Sequence, residues 1–125
     1  MESNSQRILR LYEELLQQKE HPFPQPGEPL EASKKQGVYV IRQGRKVVHA
    51  GRTMGGKEGL KQRLSDHLKG KSSFAMHFLG GDGSRLRTGY TFQYLEVSDA
   101  KNRAWLEALV AGTLCPAHIG IGREA

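Results

Sequence analysis

Gly37 to Arg42 and Lys46 to Ala50 are two short runs rich in β-branched residues, separated only by the polar turn Gln43-Gly44-Arg45. Val38, Val40 and Ile41 in the first and Val47 and Val48 in the second favour extended backbone, and so short a connection makes the pair a hairpin. A glycine-rich loop, Gly51 to Gly59, follows and opens a helix over Glu58 to about Gly70, with Leu60, Leu64 and Leu68 on its buried face. This β-β-α unit constrains the fold more than any other stretch. Polar side chains suited to chemistry stand at its strand ends and along one edge of its helix.

The rest of the chain is arranged around that unit. Residues from about Ser5 to Lys19 read as an amphipathic helix with Ile8, Leu11, Tyr12, Leu15 and Leu16 as its apolar stripe and Ser3, Asn4 or Ser5 as cap. Packing on the domain is its expected use, with a dimer contact as the alternative. His21 to Ser33 holds four prolines, which forbid a helix and favour an extended strap. Ser73 to Leu79 reads as a helical turn or two and Gly80 to Ser84 as a loop. Thr88 to Val97 alternates as a third strand, Tyr90, Phe92 and Tyr94 on one face and Thr91, Gln93 and Leu95 on the other. Ser98 or Asp99 then caps a helix to about Gly112 carrying Trp105, Leu106, Leu109 and Val110, and Pro116 to Ala125 is expected to be loop. The segments are an N-terminal helix (1–20), a Pro-rich strap (21–36) and a domain (37–125).

With 125 residues there is room for one modest core and no separate recognition module. A single cysteine, Cys115, makes no internal disulfide and fits a reducing compartment. No apolar run is long enough to span a bilayer, and the N-terminus lacks the apolar core of a signal peptide, so a cytoplasmic protein is expected. Charge is uneven. Lys34 to Lys71 holds 11 basic residues against Glu58 and Asp66, a net of +9, whereas the remainder of the chain is net −3. A basic half centred on the hairpin points to a polyanion, nucleic acid before a membrane surface, with a merely solvated basic face as the plainer alternative.

Three groups of residues invite a chemical reading. Gly51-Arg52-Thr53-Met54-Gly55-Gly56-Lys57 matches a phosphate-cradling loop, but Glu58 stands where a hydroxyl would hold magnesium, and the chain is too short for the matching parallel sheet. The loop is better read as a helix N-terminus whose backbone N–H groups welcome a polymer's phosphate. Arg63 and His67 lie one turn apart on the same helix, about 40° apart around its axis. Alone, each reads as a surface charge and a core-edge histidine; beside Tyr39 and His49 the pair gains a functional reading. Glu107 lies in the interior of the last helix, where it either pairs with Arg103 at the surface or faces the sheet with a cation to offset burial. Magnesium suits such a hard oxygen ligand.

Taken in order, Gly37-Val38-Tyr39, then His49-Ala50-Gly51, then Arg63, His67 and Glu107 resemble the GIY-YIG nuclease family, over about Gln36 to Ile119. The resemblance implies an α/β fold of the α+β kind, a small three-stranded sheet, mainly antiparallel, flanked by helices, with the N-terminal helix as an addition. It implies phosphodiester hydrolysis dependent on one magnesium or manganese ion. Tyr39 matches the tyrosine that orients or deprotonates the attacking water, Gly51 the glycine of the second motif, and Arg52 a basic residue near the phosphate. Arg63 matches the arginine that stabilises charge on the scissile phosphate, His67 a residue that bonds the first tyrosine, and Glu107 the metal-binding glutamate. Two positions depart from the pattern. His49 stands where the second motif has tyrosine, and an imidazole of ordinary pKa near 6.5 is a better base at neutral pH than a phenol near 10. Ile119, with His118 beside it, stands where many members carry asparagine three residues after a proline.

The expected activity is therefore a divalent-metal-dependent DNA endonuclease, with DNA ahead of RNA as substrate. Tyr39 or His49 holds the water, Glu107 binds the metal, and Arg63 with Arg52 stabilises developing charge. Lys57, Lys61, Lys69 and Lys71 grip backbone phosphates without reading sequence. Specificity is left to DNA shape, a partner protein or a homodimer. The alternative from another class is a non-catalytic module on the same fold that binds nucleic acid or protein.

Overall fold

The computed structural model describes residues 1–119. Helix α1 (Asn4–Leu16) is capped by Ser3, whose hydroxyl accepts from the Gln6 amide while the Gln6 side chain accepts from the Ser3 amide. Strands β1 (His21–Pro22), β2 (Gly37–Gln43) and β3 (Lys46–Arg52) follow, then helices α2 (Gly59–Leu68) and α3 (Ser73–His77), and a 3-10 turn (Gly83–Arg87). Strand β4 (Tyr90–Glu96), helix α4 (Ala100–Leu114) and strand β5 (His118–Ile119) complete the order.

The strands make one mixed sheet in the order β1-β4-β2-β3-β5. The expected three strands are its centre, all antiparallel, but two short edge strands correct the count to five. His21–Pro22, inside the expected strap, pairs antiparallel with β4. His118–Ile119, inside the expected terminal loop, pairs parallel with β3. Two residues are too few to show a period, and a proline is tolerated at an edge where its missing N–H leaves no ladder bond unmade. The remainder of that expected loop, 120–125, lies outside the described residues.

Both faces of the sheet are covered. Val38, Val40, Val47 and Ala50 pack with α1 and α4 through Ile8, Leu15, Leu106 and Val110. Tyr39, Ile41, Val48 and Phe92 pack on the other face with Leu60, Leu64, Phe74 and Leu86. Helix α1 thus packs on the domain, and Gln93 secures its end by donating to the carbonyls of Leu16 and Gln18. Burial on both faces explains why Gly37 to Ile41 is buried without interruption.

Two further expectations are corrected, and one open alternative is decided. The loop at 80–84 is partly a 3-10 turn, begun by Asp82 accepting from the Ser84 amide and anchored by buried Leu86. Arg103 does not pair with Glu107: only 6% exposed, it donates to the carbonyls of Thr53, Val97 and Ser98 and ties α4 to the end of β3. The start of α2 offers no phosphate rest at its first turn. The Leu60 and Lys61 amides donate to the carbonyls of Lys35 and Ser33 at 2.9 and 2.8 Å, so the strap supplies the acceptors a helix start lacks. Gly59, with φ +49°, is required there, since a Cβ would lie 2.3 Å from two strap carbonyl oxygens.

Candidate active site

Tyr39 is opposite Gly51 in the hairpin, and its ring shares the α2 side of the sheet with His49 and His67. Tyr39 and His67 are both 0% exposed, and the tyrosine oxygen lies 2.6 Å from His67 Nε2. His67 Nδ1 lies 2.6 Å from Ser72 Oγ, which also caps α3 by accepting from the Ala75 amide. His67 is thus a fully buried link between strand and helix rather than a rim residue. His49, 3% exposed, has Nε2 3.5 Å from the tyrosine oxygen and Nδ1 3.0 Å from Nδ1 of His118. A phenol has one proton, so Tyr39 can donate to only one of the two imidazoles, and the shorter contact favours His67. The result is a continuous polar file from Ser72 through His67, Tyr39 and His49 to His118, crossing an otherwise apolar layer.

Burial sets the proton affinities along this file. It pushes the Tyr39 phenol up to about 12, with the Arg63 guanidinium opposing. It holds His49 down at about 3, helped by His118, and keeps His67 well below the ordinary imidazole range. His118, more open, is lowered by its partial burial and by His77. At neutral pH the three imidazoles are therefore neutral and the phenol keeps its proton.

On the other side of β3 the next residue turns the opposite way. Arg52 lies opposite Val38, whose side chain belongs to the α4 layer, and its Nη1 donates to Glu107 Oε1 at 2.5 Å. Burial of Leu106 and Val110 on α4 fixes where Glu107 stands. Partial burial pushes the Glu107 carboxyl up, against the pull of Arg52 and Arg63.

The two sides meet in a cleft of about 260 Å³ at the β3 edge, lined by His49, Ala50, Gly51, Arg52, Met54, Arg63, Ser73 and Glu107. Tyr39 and His67 stand behind this wall. Arg63 reaches it from α2, and its buried Nε has no hydrogen-bond partner among the described residues. A guanidinium N–H held away from water without an acceptor is costly, and the cation it belongs to makes the cleft wall attractive to an anion. Of the expected phosphate-gripping lysines, Lys57, Lys69 and Lys71 are exposed and Lys61 is half-buried. They flank the cleft's helix and do not line the cleft.

No cluster of three or more metal-ligating side chains occurs among the described residues. A single half-buried carboxylate beside an anion-seeking cleft does suit one hard divalent ion that keeps water and phosphate oxygens as its other ligands. Glu107 is the residue that would hold it.

Sequence reasoning passed over three features. Ser72 could have been found as the cap before Phe74 and Ala75. The contact of His118 with His49 and the Arg52–Glu107 pair depend on a parallel edge strand and on packing between distant elements, which leave no local signal.

This fold is that of a known class. Over 89% of its length the chain superposes, with a TM-score of 0.52, on 92% of the GIY-YIG N-terminal endonuclease domain of UvrC from Thermotoga maritima. Sequence identity is 16%, and that structure is a point mutant bound to its catalytic divalent cation. The chain has the GIY-YIG nuclease fold. No sequence profile of a known family matches it, and neither does any curated protein. Among the described residues no helix is long and apolar enough to cross a membrane.

Proposed function

We propose that this protein is a divalent-metal-dependent endonuclease that hydrolyses DNA phosphodiester bonds in the cleft at the β3 edge. The observation that carries the reading is one cleft wall that brings together the guanidinium-bearing Arg63, the Arg52–Glu107 pair and His49. A nuclease fold shared with a domain that binds a catalytic divalent cation supports it.

The roles follow from exposure and bonding. His49 lines the cleft and Tyr39 does not, so His49 is the group that contacts the attacking water. Its neutral imidazole accepts a hydrogen bond from that water and orients it. Burial holds the imidazole at about 3, so the expected advantage of an imidazole as base is lost and it can only pass the proton on. Tyr39 and His67 lock the neighbouring surface, and His118, nearest to solvent, carries the proton onward from Nδ1 of His49. Arg63 stabilises charge on the phosphate as water adds to phosphorus and the bond to the 3′ oxygen breaks. A magnesium or manganese ion bound at Glu107 would supply Lewis-acid polarisation of a phosphoryl oxygen. The exposed lysines around α2 hold the polymer's backbone.

The test is cleavage of plasmid, branched and single-stranded DNA with magnesium or manganese. Glu107→Ala and Arg63→Ala are each expected to lower the rate by at least about 100-fold. Variants that cleave as well as the parent would rule the assignment out.

A further inference from the structure

The Arg52–Glu107 pair places a guanidinium on the carboxylate that a divalent ion would use. Other ion pairs among the described residues, such as Arg10 with Glu2 and Glu14 or Lys34 with Glu58, lie on open surface. The Arg52–Glu107 pair is built into the cleft wall. Arg63 stands in the same wall, so the cleft holds two fixed cations against one carboxylate. A free divalent ion therefore approaches Glu107 against net positive charge and must share or contest with Arg52 a single carboxylate. A phosphate alters both conditions at once. It brings negative charge into the cleft and gives Arg52 a second acceptor of matching fork geometry.

We propose that Arg52 is an exchangeable counter-ion: it neutralises Glu107 in the free protein and moves to a backbone phosphate when nucleic acid enters the cleft. Divalent-cation binding and nucleic-acid binding are then coupled through this one side chain, each strengthening the other by the same factor. The inference rests on the metal role proposed for Glu107. It adds an order to the assembly of the site, with the ion held firmly only once the polymer is present.

Manganese binding to the whole folded chain, read from the paramagnetic signal of free ion, tests this without any cleavage step. Titrations are run with and without a short phosphorothioate duplex, with the duplex alone as blank. The parent is expected to bind manganese about tenfold more tightly when the duplex is present, within the usual range of such couplings. Arg52→Gln is expected to bind the ion about tenfold more tightly than the parent without duplex, and to gain little more from it. Arg52→Lys, which keeps the charge but not the fork, is expected to fall between them and serves if the glutamine variant folds poorly by circular dichroism. If both Arg52 variants match the parent in affinity and in duplex response while Glu107→Gln abolishes binding, the exchange is overturned and the metal site stands. If Glu107→Gln binds manganese like the parent, the metal site itself is wrong and the exchange falls with it.

Discussion

Gly51 approaches Tyr39 so closely across the hairpin that a Cβ on Gly51 would stand 2.4 Å from the tyrosine hydroxyl oxygen. The glycine of the second tripeptide is therefore the space in which the tyrosine of the first one lies. Tyr39 cannot yield easily, because its ring is fully buried and its oxygen is held 2.6 Å from His67.

Gly51→Ala is accordingly expected to lose about 1–3 kcal/mol of stability, the usual range for overpacking a filled interior. The damage should be local. Nuclear magnetic resonance of the His67 imidazole should show loss of its bond to Tyr39, with helix content by circular dichroism unchanged.

Acid should weaken the fold over a definable window. His49 sits at about 3 and His67 well below 6.5 in the folded chain, in both cases mainly through burial. Unfolded imidazoles take up protons near 6.5, so below that pH the unfolded state binds more protons than the folded one. Stability contributed by the neutral imidazoles is complete above about pH 6.5 and is lost as pH falls from there towards about 3. Thermal midpoints measured across this range should fall steadily, and His49→Gln, which cannot titrate there, should flatten the slope. A parent midpoint independent of pH over this interval would contradict the buried neutral file.

Arg103 is the third site where a single change has a defined outcome. Its guanidinium is buried with no carboxylate partner among the described residues and is satisfied by three backbone carbonyls at 2.8–3.2 Å. Arg103→Met keeps the stem and removes the donors, and is expected to cost about 3 kcal/mol. The urea midpoint should drop with the slope unchanged.

The reasons why some of this was legible in the sequence, and some not, are physical. Val38 to Ile41 and Val47 to Val48 announce the hairpin because strand period and a short turn are local properties. Arg63 and His67 are placed together by helix geometry alone, and Leu60 and Leu64 say which way that helix faces. The spacing of Arg103 to Glu107 also fits a surface ion pair, so spacing alone leaves both readings of Glu107 open. The spacing of Arg103, Leu106 and Val110, the three buried positions of α4, carries the better reading. The satisfied start of α2 depends on carbonyls from a strap some 25 residues earlier in the chain, and no local pattern reports that. Edge strands of two residues likewise show no period, which hid the meeting of His118 with His49.

That last meeting bears on how the site comes into being during synthesis. Tyr39, His49, Arg63, His67 and Glu107 all leave the ribosome before His118 does, and the hairpin and four helices can be in place first. His118 then joins through a two-residue parallel pairing, a hold far shallower than the six pairs that join β2 to β3. Segments held so lightly open long before the whole chain unfolds. Amide exchange at His118 should therefore outpace that of β2 and β3, and the contact between His118 and His49 would open and close on its own clock while the rest of the site stays assembled.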